Sequence, residues 1–183
     1  MKIIAVTGMP WSGKSEAVRI AKEQGIPVVR MGDLVWEETK AQGLDLTDEN
    51  VGRIAHEMRN KYGSDIWAQK TVENIKKAPS SHLILIDGIR TLDEVSYFKK
   101  TLSEDFVLIA VDASDETRYK RAKARGRADD TVEVEVMKER DRRECGWGLG
   151  EVIAAADIVI INEQDIDTFR REITKVFDRV LKR

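Results

Sequence analysis

One short stretch restricts this chain more than any other. Gly8-Met9-Pro10-Trp11-Ser12-Gly13-Lys14-Ser15 places two glycines, a lysine and a hydroxyl in the pattern G-x-x-x-x-G-K-[ST]. Its flanks are as telling as its spacing. Lys2-Ile3-Ile4-Ala5-Val6 reads as a buried strand, and Ser15 to Gln24 reads as the helix that follows. A chain that turns from strand to helix through glycines aims successive backbone N–H groups and a helix N-terminus into one concave space, which suits a polyphosphate. Gly8, Met9, Pro10, Trp11, Ser12 and Gly13 are therefore the expected cradle of a nucleoside triphosphate, ATP first. In this pattern Lys14 reaches the terminal phosphates and the Ser15 hydroxyl binds Mg²⁺.

The chain has 183 residues, enough for one domain (1–183) with a real core. Hydrophobic residues make up 42% and charged residues 35%, a globular balance. A net charge of −2 and a pI of about 5.8 argue against a general nucleic-acid or membrane-surface binder. No apolar run is long enough to span a bilayer and no secretory leader precedes the first strand, so a cytoplasmic location is expected. Cys145 is the single cysteine, which excludes an intrachain disulfide and a cysteine-rich zinc site; without a partner pattern it reads as inert.

Four further apolar runs follow the first: Ile26–Val29, Leu83–Ile86, Val107–Val111 and Ile158–Ile161. They are nearly continuous, as expected of strands covered on both faces of a parallel sheet. Helical segments separate them. The first stops at Gly25 with Pro27 just beyond. In the last, Ile166, Phe169, Ile173, Val176, Phe177 and Val180 share one face. The alternation predicts an α/β three-layer sandwich around a five-stranded parallel sheet, with the ligand at the C-terminal strand ends. Two connections, 31–81 and 113–156, are too long for simple crossovers. They are expected to form a helical acceptor-binding insertion and a lid region.

Leu83-Ile84-Leu85-Ile86-Asp87 ends an apolar strand in a carboxylate, beside the expected phosphate loop. Asp87 is placed to hold Mg²⁺ or its waters. Gly88-Ile89-Arg90 follows, and the Arg90 guanidinium suits a second phosphate. Asp33, just after the second strand, reads equally as a helix cap or as a base facing the active centre. Arg118, Arg121 and Arg125 fall three and four apart on one helix face, and Arg127 follows Gly126. These arginines are expected to neutralise a transferring phosphoryl group. Asp130 with Glu133 reads as a capping box, with Arg140, Arg142 and Arg143 further along that helix. His56 and His82 are isolated, and Trp67 and Trp147 read as packing residues.

These residues resemble the nucleoside monophosphate kinases, adenylate kinase in particular, within the P-loop kinases. Met31-Gly32-Asp33-Leu34-Val35 is similar to S-T-G-D-L-L, and Leu46-Thr47-Asp48-Glu49 to V-T-D-E. Asp87-Gly88-Ile89-Arg90-Thr91 is similar to D-G-F-P-R-T, with one residue fewer before the arginine. Arg121, Arg125 and Arg127-Ala128-Asp129-Asp130 fit the lid pattern. The resemblance implies Arg121 near the adenine of ATP, Arg125 and Arg127 at its phosphates, and Gly32, Asp33, Trp36 and Arg90 on the acceptor side. The whole chain looks closer still to an archaeal family of adenylate-kinase-related proteins.

Three departures set the chain apart. Trp36 stands where the resemblance implies an acceptor-binding arginine. Trp11 replaces a glycine of the loop, so its indole is expected on the outer rim, near the lid arginines. Ala156-Asp157-Ile158-Val159-Ile160-Ile161-Asn162 resembles the A-D-x-V-I-x-N ending of dephospho-CoA kinase, a family in which the position of Asp33 holds the base. The expected activity is phosphotransfer from ATP, with Mg²⁺, to a small phosphorylated acceptor, AMP the first candidate. Dephospho-CoA or another metabolite is the alternative. In a different class of function, the chain is an ATP-driven switch with a protein or ribosomal partner.

Overall fold

The computed structural model describes residues 1–77, 81–103, 105–125 and 133–182. Five strands run parallel: β1 (Lys2–Thr7), β2 (Val28–Arg30), β3 (Leu83–Asp87), β4 (Phe106–Asp112) and β5 (Ile158–Ile161). Their order is β2-β3-β1-β4-β5. The central pairing sets the site's register. Val6 lies opposite Asp87 across β1 and β3, and Arg30 lies opposite Asp87 across β2 and β3. Three functional strand ends thus finish level with one another.

The strands part their side chains between two cores. Ile3 and Ala5 of β1 pack on one face, while Ile4 and Val6 pack on the other. This is the period of two that a pleated strand imposes. The Ile4 face is covered by α1 (Lys14–Glu23) and α9 (Ile166–Leu181). Ala17, Ile20 and Ala21 of α1 meet Phe169, Ile173 and Phe177 of α9 there. Asp165 caps α9 by accepting from the N–H groups of Asp167 and Thr168. The opposite face is covered by α2 (Met31–Ala41), α3 (Asp48–Tyr62), α4 (Ile66–Lys77), α5 (Leu92–Thr101) and α8 (Leu149–Ala154). The expected three-layer α/β sandwich is therefore the fold.

Two details differ from the expectations. The second strand is Val28–Arg30 rather than Ile26–Val29, because Ile26 is drawn back into the turn that ends α1, its N–H donating to Ala21. β5 is covered on one face only. Ile160 is buried, whereas Val159 and Ile161 are 49% and 54% exposed, because β5 closes one edge of the sheet.

The first long connection supplies α2, α3 and α4. The second supplies α6 (Asp115–Arg125), α7 (Val134–Gly146) and α8. Glu133 is the N-cap residue of α7 and gives no side-chain cap bond; Asp130, its expected capping partner, lies outside the described residues. Among the described residues no helix is long and apolar enough to cross a membrane.

Candidate active site

The phosphate loop joins Thr7 to Lys14 and is bounded by two glycines whose backbone other residues rarely adopt. Gly8 has φ +143°, and a Cβ there would lie 2.2 Å from the Val111 carbonyl oxygen. Gly13 has φ +114°, and a Cβ there would lie 2.3 Å from Asn162 Nδ2. Both positions forbid a side chain through conformation and through space. Asn162 is the reason the second is tight. Its Nδ2 donates to the Ser12 carbonyl at 2.8 Å, and its Oδ1 accepts from Arg121 Nη2 at 3.1 Å. The other polar end of the A-D-x-V-I-x-N stretch, Asp157, accepts the Leu108 N–H at 2.8 Å. Both polar ends of that stretch are accordingly tied into the fold.

A cavity of about 240 Å³ opens beside the loop. Six basic side chains line it, Lys14, Arg30, Arg59, Arg90, Arg140 and Arg143, against three acidic ones, Asp48, Asp87 and Glu144. Lys14 folds back on its own loop, donating to the carbonyls of Gly8 at 2.6 Å and Met9 at 2.8 Å. Burial, seconded by the Arg90 charge, lowers Lys14 from 10.5 to about 7 against the pull of Glu144 and Asp87. Burial would raise Glu144, but Arg90, Arg140 and Lys14 outweigh it and hold this carboxyl at about 2.

The expected residues separate into groups. Lys14, Ser15, Asp87, Gly32, Trp36 and Arg90 all line the cavity, with Pro10, Trp11 and Gly13 of the loop. Asp87 Oδ1 is buried and has no hydrogen-bond partner, while Oδ2 lies 3.6 Å from Arg30 Nε. Asp33 stands in the first turn of α2, 48% exposed, paired with Arg30 at 3.1 Å. Arg121 lines a second cavity of about 290 Å³, together with Trp11, Gly13, Ser15, Asn162 and Gln164. Arg127 and the side chain of Arg125 lie outside the described residues.

Arg118 departs from the expected basic face. It is 2% exposed and grips Asp141 of α7 with both ends of its fork, at 3.0 and 2.6 Å. Its Nη1 also donates to the Pro10 carbonyl at 3.0 Å, and Tyr119 adds a bond to Asp141 at 2.7 Å. Arg118 braces the phosphate loop against α7 from behind. Trp11 lies on the same loop. Its φ is +60°, and the ring is half-buried between the two cavities. Arg140 lies over it at 5.1 Å, and Tyr119 meets it edge-on at 6.4 Å.

Sequence reasoning missed the acids that organise the arginines, and Arg59. Glu94, fully buried, accepts from Arg59 Nη2 at 2.9 Å and from the Arg90 backbone N–H at 2.7 Å. It also closes a capping box with Thr91 at the start of α5. The T-x-x-E spacing of Thr91 and Glu94 is a signal that was available. Glu144 had none, being one more acid on a charged helix. Trp147, read as packing, lines the cavity with Arg59 over its ring at 4.6 Å, and its Nε1 donates to His56 Nδ1 at 3.2 Å. Trp67 does pack, at 1% exposure.

The AAA domain family profile matches residues 7–136. The UPF0200/UPF0201 protein of Archaeoglobus fulgidus is 44% identical over 183 residues; that covers all of this chain but 57% of the relative's length. The UPF0200 protein of Methanosarcina barkeri is 43% identical over 182 residues, covering 100% of this chain and 97% of that one.

The chain belongs to the UPF0200 family and carries this AAA domain.

Among solved structures, this UPF0200 chain superposes on TT1252 from Thermus thermophilus with a TM-score of 0.62 at 20% identity, covering 97% of each chain. Shikimate kinase from Aquifex aeolicus gives 0.54 at 16% identity, covering 96% of each. At these identities the likeness concerns the fold, which is that of P-loop kinases.

Proposed function

We propose that this UPF0200 protein transfers the terminal phosphoryl group of ATP to a small phosphorylated acceptor, a nucleoside monophosphate such as AMP first. The observation that carries the reading is the convergence of Lys14, Arg90 and Arg140 on one wall of the cavity beside the phosphate loop. The second cavity shares Trp11, Gly13 and Ser15 with the first. A donor seated over the loop with its base in the second cavity, toward Arg121, would present its terminal phosphate to an acceptor in the first. Transfer of this kind depends on positioning and on fixed positive charge.

The residues fit Mg²⁺. Asp87 Oδ1 is a buried oxygen with no hydrogen-bond partner, and Ser15 lines the same cavity as Asp87. Mg²⁺ is ordinarily held by one or two such oxygens together with waters and substrate phosphates. Ser15 and Asp87 would hold it, and bound there it neutralises charge on the phosphates. Lys14 would leave the Gly8 and Met9 carbonyls for the phosphates. Arg90 would hold the acceptor phosphate, and Arg121, Arg125 and Arg127 would serve the donor. Asp33 reaches the site through Arg30, which it shares with Asp87, and this favours a positioning role.

The test is an acceptor panel with Mg·ATP: the nucleoside monophosphates, dephospho-CoA, and no acceptor. Formation of ADP from both ATP and AMP supports the leading reading. Phosphorylation of dephospho-CoA alone replaces it with the alternative acceptor. ATP hydrolysis with no phosphorylated product makes the protein an ATP-driven switch acting with a protein or ribosomal partner. The Trp36 ring, 5.8 Å from the Arg30 guanidinium at the place where the resemblance implies an arginine, is the feature that favours that outcome.

A further inference from the structure

The cations on the acceptor side are engaged with the protein's own oxygens. Arg90 turns Nη1 to the Ile89 carbonyl at 3.1 Å, and its Nε lies 2.6 Å from Glu144 Oε2. Arg140 donates from Nε to Glu144 Oε1 at 3.2 Å and pairs through Nη1 with Asp48 at 3.1 Å. Two arginines from different elements therefore converge on Glu144, and Lys14 is close enough to feel its charge. The Glu144 side chain is 5% exposed and forms part of the cavity wall. Its Oε2 has no aligned hydrogen bond, so its contact with Arg90 is purely ionic. The carboxylate sits where a ligand's anionic group would bind both arginines.

We infer that Glu144 is a specificity-determining residue, an internal anion between Arg90 and Arg140 that admits only an acceptor ending in a dianionic phosphomonoester. This deepens, and rests on, the reading of the main cavity as the acceptor site. The argument is one of charge balance. A ligand carboxylate brings one negative charge and can only exchange with Glu144. That exchange strands a buried carboxylate without partners, which is strongly unfavourable. A phosphate dianion brings nearly two charges and three strong acceptor oxygens. It can engage both guanidinium forks while Glu144 keeps part of its pairing. A repulsive group inside the site thus rejects the weaker anion more than the stronger one.

The test compares the native protein with Glu144→Gln, using inorganic phosphate and acetate as probes at pH 8 and equal ionic strength. Binding is read by calorimetry and by thermal denaturation. The native protein should bind phosphate and ignore acetate. Glu144→Gln should be less stable without anion, because the Arg90 and Arg140 charges then lose the carboxylate between them and Asp48 remains on Arg140. It should bind phosphate about tenfold more tightly and begin to respond to acetate. Glu144→Asp, which draws the charge back from Arg90, should shift in the same direction by less, and it serves if the glutamine variant does not fold. Phosphate affinity unchanged or weakened in both variants, or no phosphate response in any of the proteins, overturns the inference. The acceptor panel judges the kinase reading separately, since a phosphate effect of Glu144 with no phosphorylated product would leave only that reading wrong.

Discussion

Asn162 Nδ2 donates to the carbonyl oxygen of Ser12 across 2.8 Å, joining the end of β5 to the phosphate loop. The same amide takes Arg121 on its other side. One buried side chain therefore couples the loop to the residue that the donor-base reading needs. Asn162→Ala should cost about 1–3 kcal/mol in stability, the usual effect of leaving buried polar groups unmet. It should also weaken ATP binding, because the loop loses a fixed point. Urea unfolding and ATP calorimetry check both. An unchanged ATP affinity would make the bond purely structural.

Lys14 carries a stated pH dependence. Its folded value of about 7 lies below the 10.5 of the free side chain. Between these values the unfolded chain holds a proton that the folded chain has lost, so stability rises with pH across that window. The cost of burying the charge is fully present below about pH 7. Lys14→Met should therefore stabilise the protein most at pH 6, on the order of a few kcal/mol, with the gain shrinking toward pH 10. ATP binding at pH 8 should take up protons, seen as a buffer-dependent heat. Turnover of Lys14→Met should fall about 10²–10³-fold, because one preorganised charge is gone.

The Arg59–Glu94 pair is buried on both sides, with side-chain exposures of 8% and 0%. Burial lowers Arg59 and raises Glu94, each against the attraction of its partner. Glu94→Ala strands the Arg59 charge and removes the acceptor of the Arg90 and Thr91 N–H groups. It should destabilise by about 3–5 kcal/mol, whereas the double change Arg59→Met with Glu94→Leu should cost much less. Chemical denaturation of the three proteins decides the matter.

Arg90→Ala should raise the acceptor KM strongly and leave ATP affinity nearly unchanged. Arg90 lines the cavity proposed for the acceptor, while the proposed donor contacts come from the loop and the second cavity. Equal losses toward both ligands would show that Arg90 supports the whole site.

Trp11 should report on ligand binding through Arg140. Among the described residues the guanidinium over the indole is that of Arg140 of α7, 5.1 Å away, while the lid arginines the sequence pointed to, the Arg125 side chain and Arg127, lie outside them. A variant keeping Trp11, with Trp36, Trp67 and Trp147 changed to Phe, should shift or quench its emission when Mg·ATP and acceptor draw Arg140 to phosphate. Arg140→Ala should reduce that response. Flat emission during binding proven by calorimetry would make Trp11 a passive wall.

Some of this was legible in the sequence because its causes are local. The glycines at 8 and 13 announce backbone that other residues cannot adopt, and Lys14 and Ser15 follow at fixed spacing. Asp87 and Arg90 were legible for the same reason, one ending an apolar strand and the other following a glycine turn. The basic face of α6 was only half legible. Arg118 and Arg121 lie close together on one helix, yet Arg118 is buried against Asp141 while Arg121 reaches Asn162. Helical spacing says which residues share a face, not what will cover it.

By itself the sequence determined the layered α/β fold and the phosphate loop, since apolar period and glycine placement act over a few residues. Only the tertiary structure decided the electrostatics of the site. Glu144 from α7, Arg90 from the turn after β3, Asp48 from α3 and Lys14 from α1 are distant in the chain and meet in one cavity wall. A buried charge takes its meaning from the charges that the fold brings within a few ångströms, where little water screens them. No pattern along the chain records that proximity.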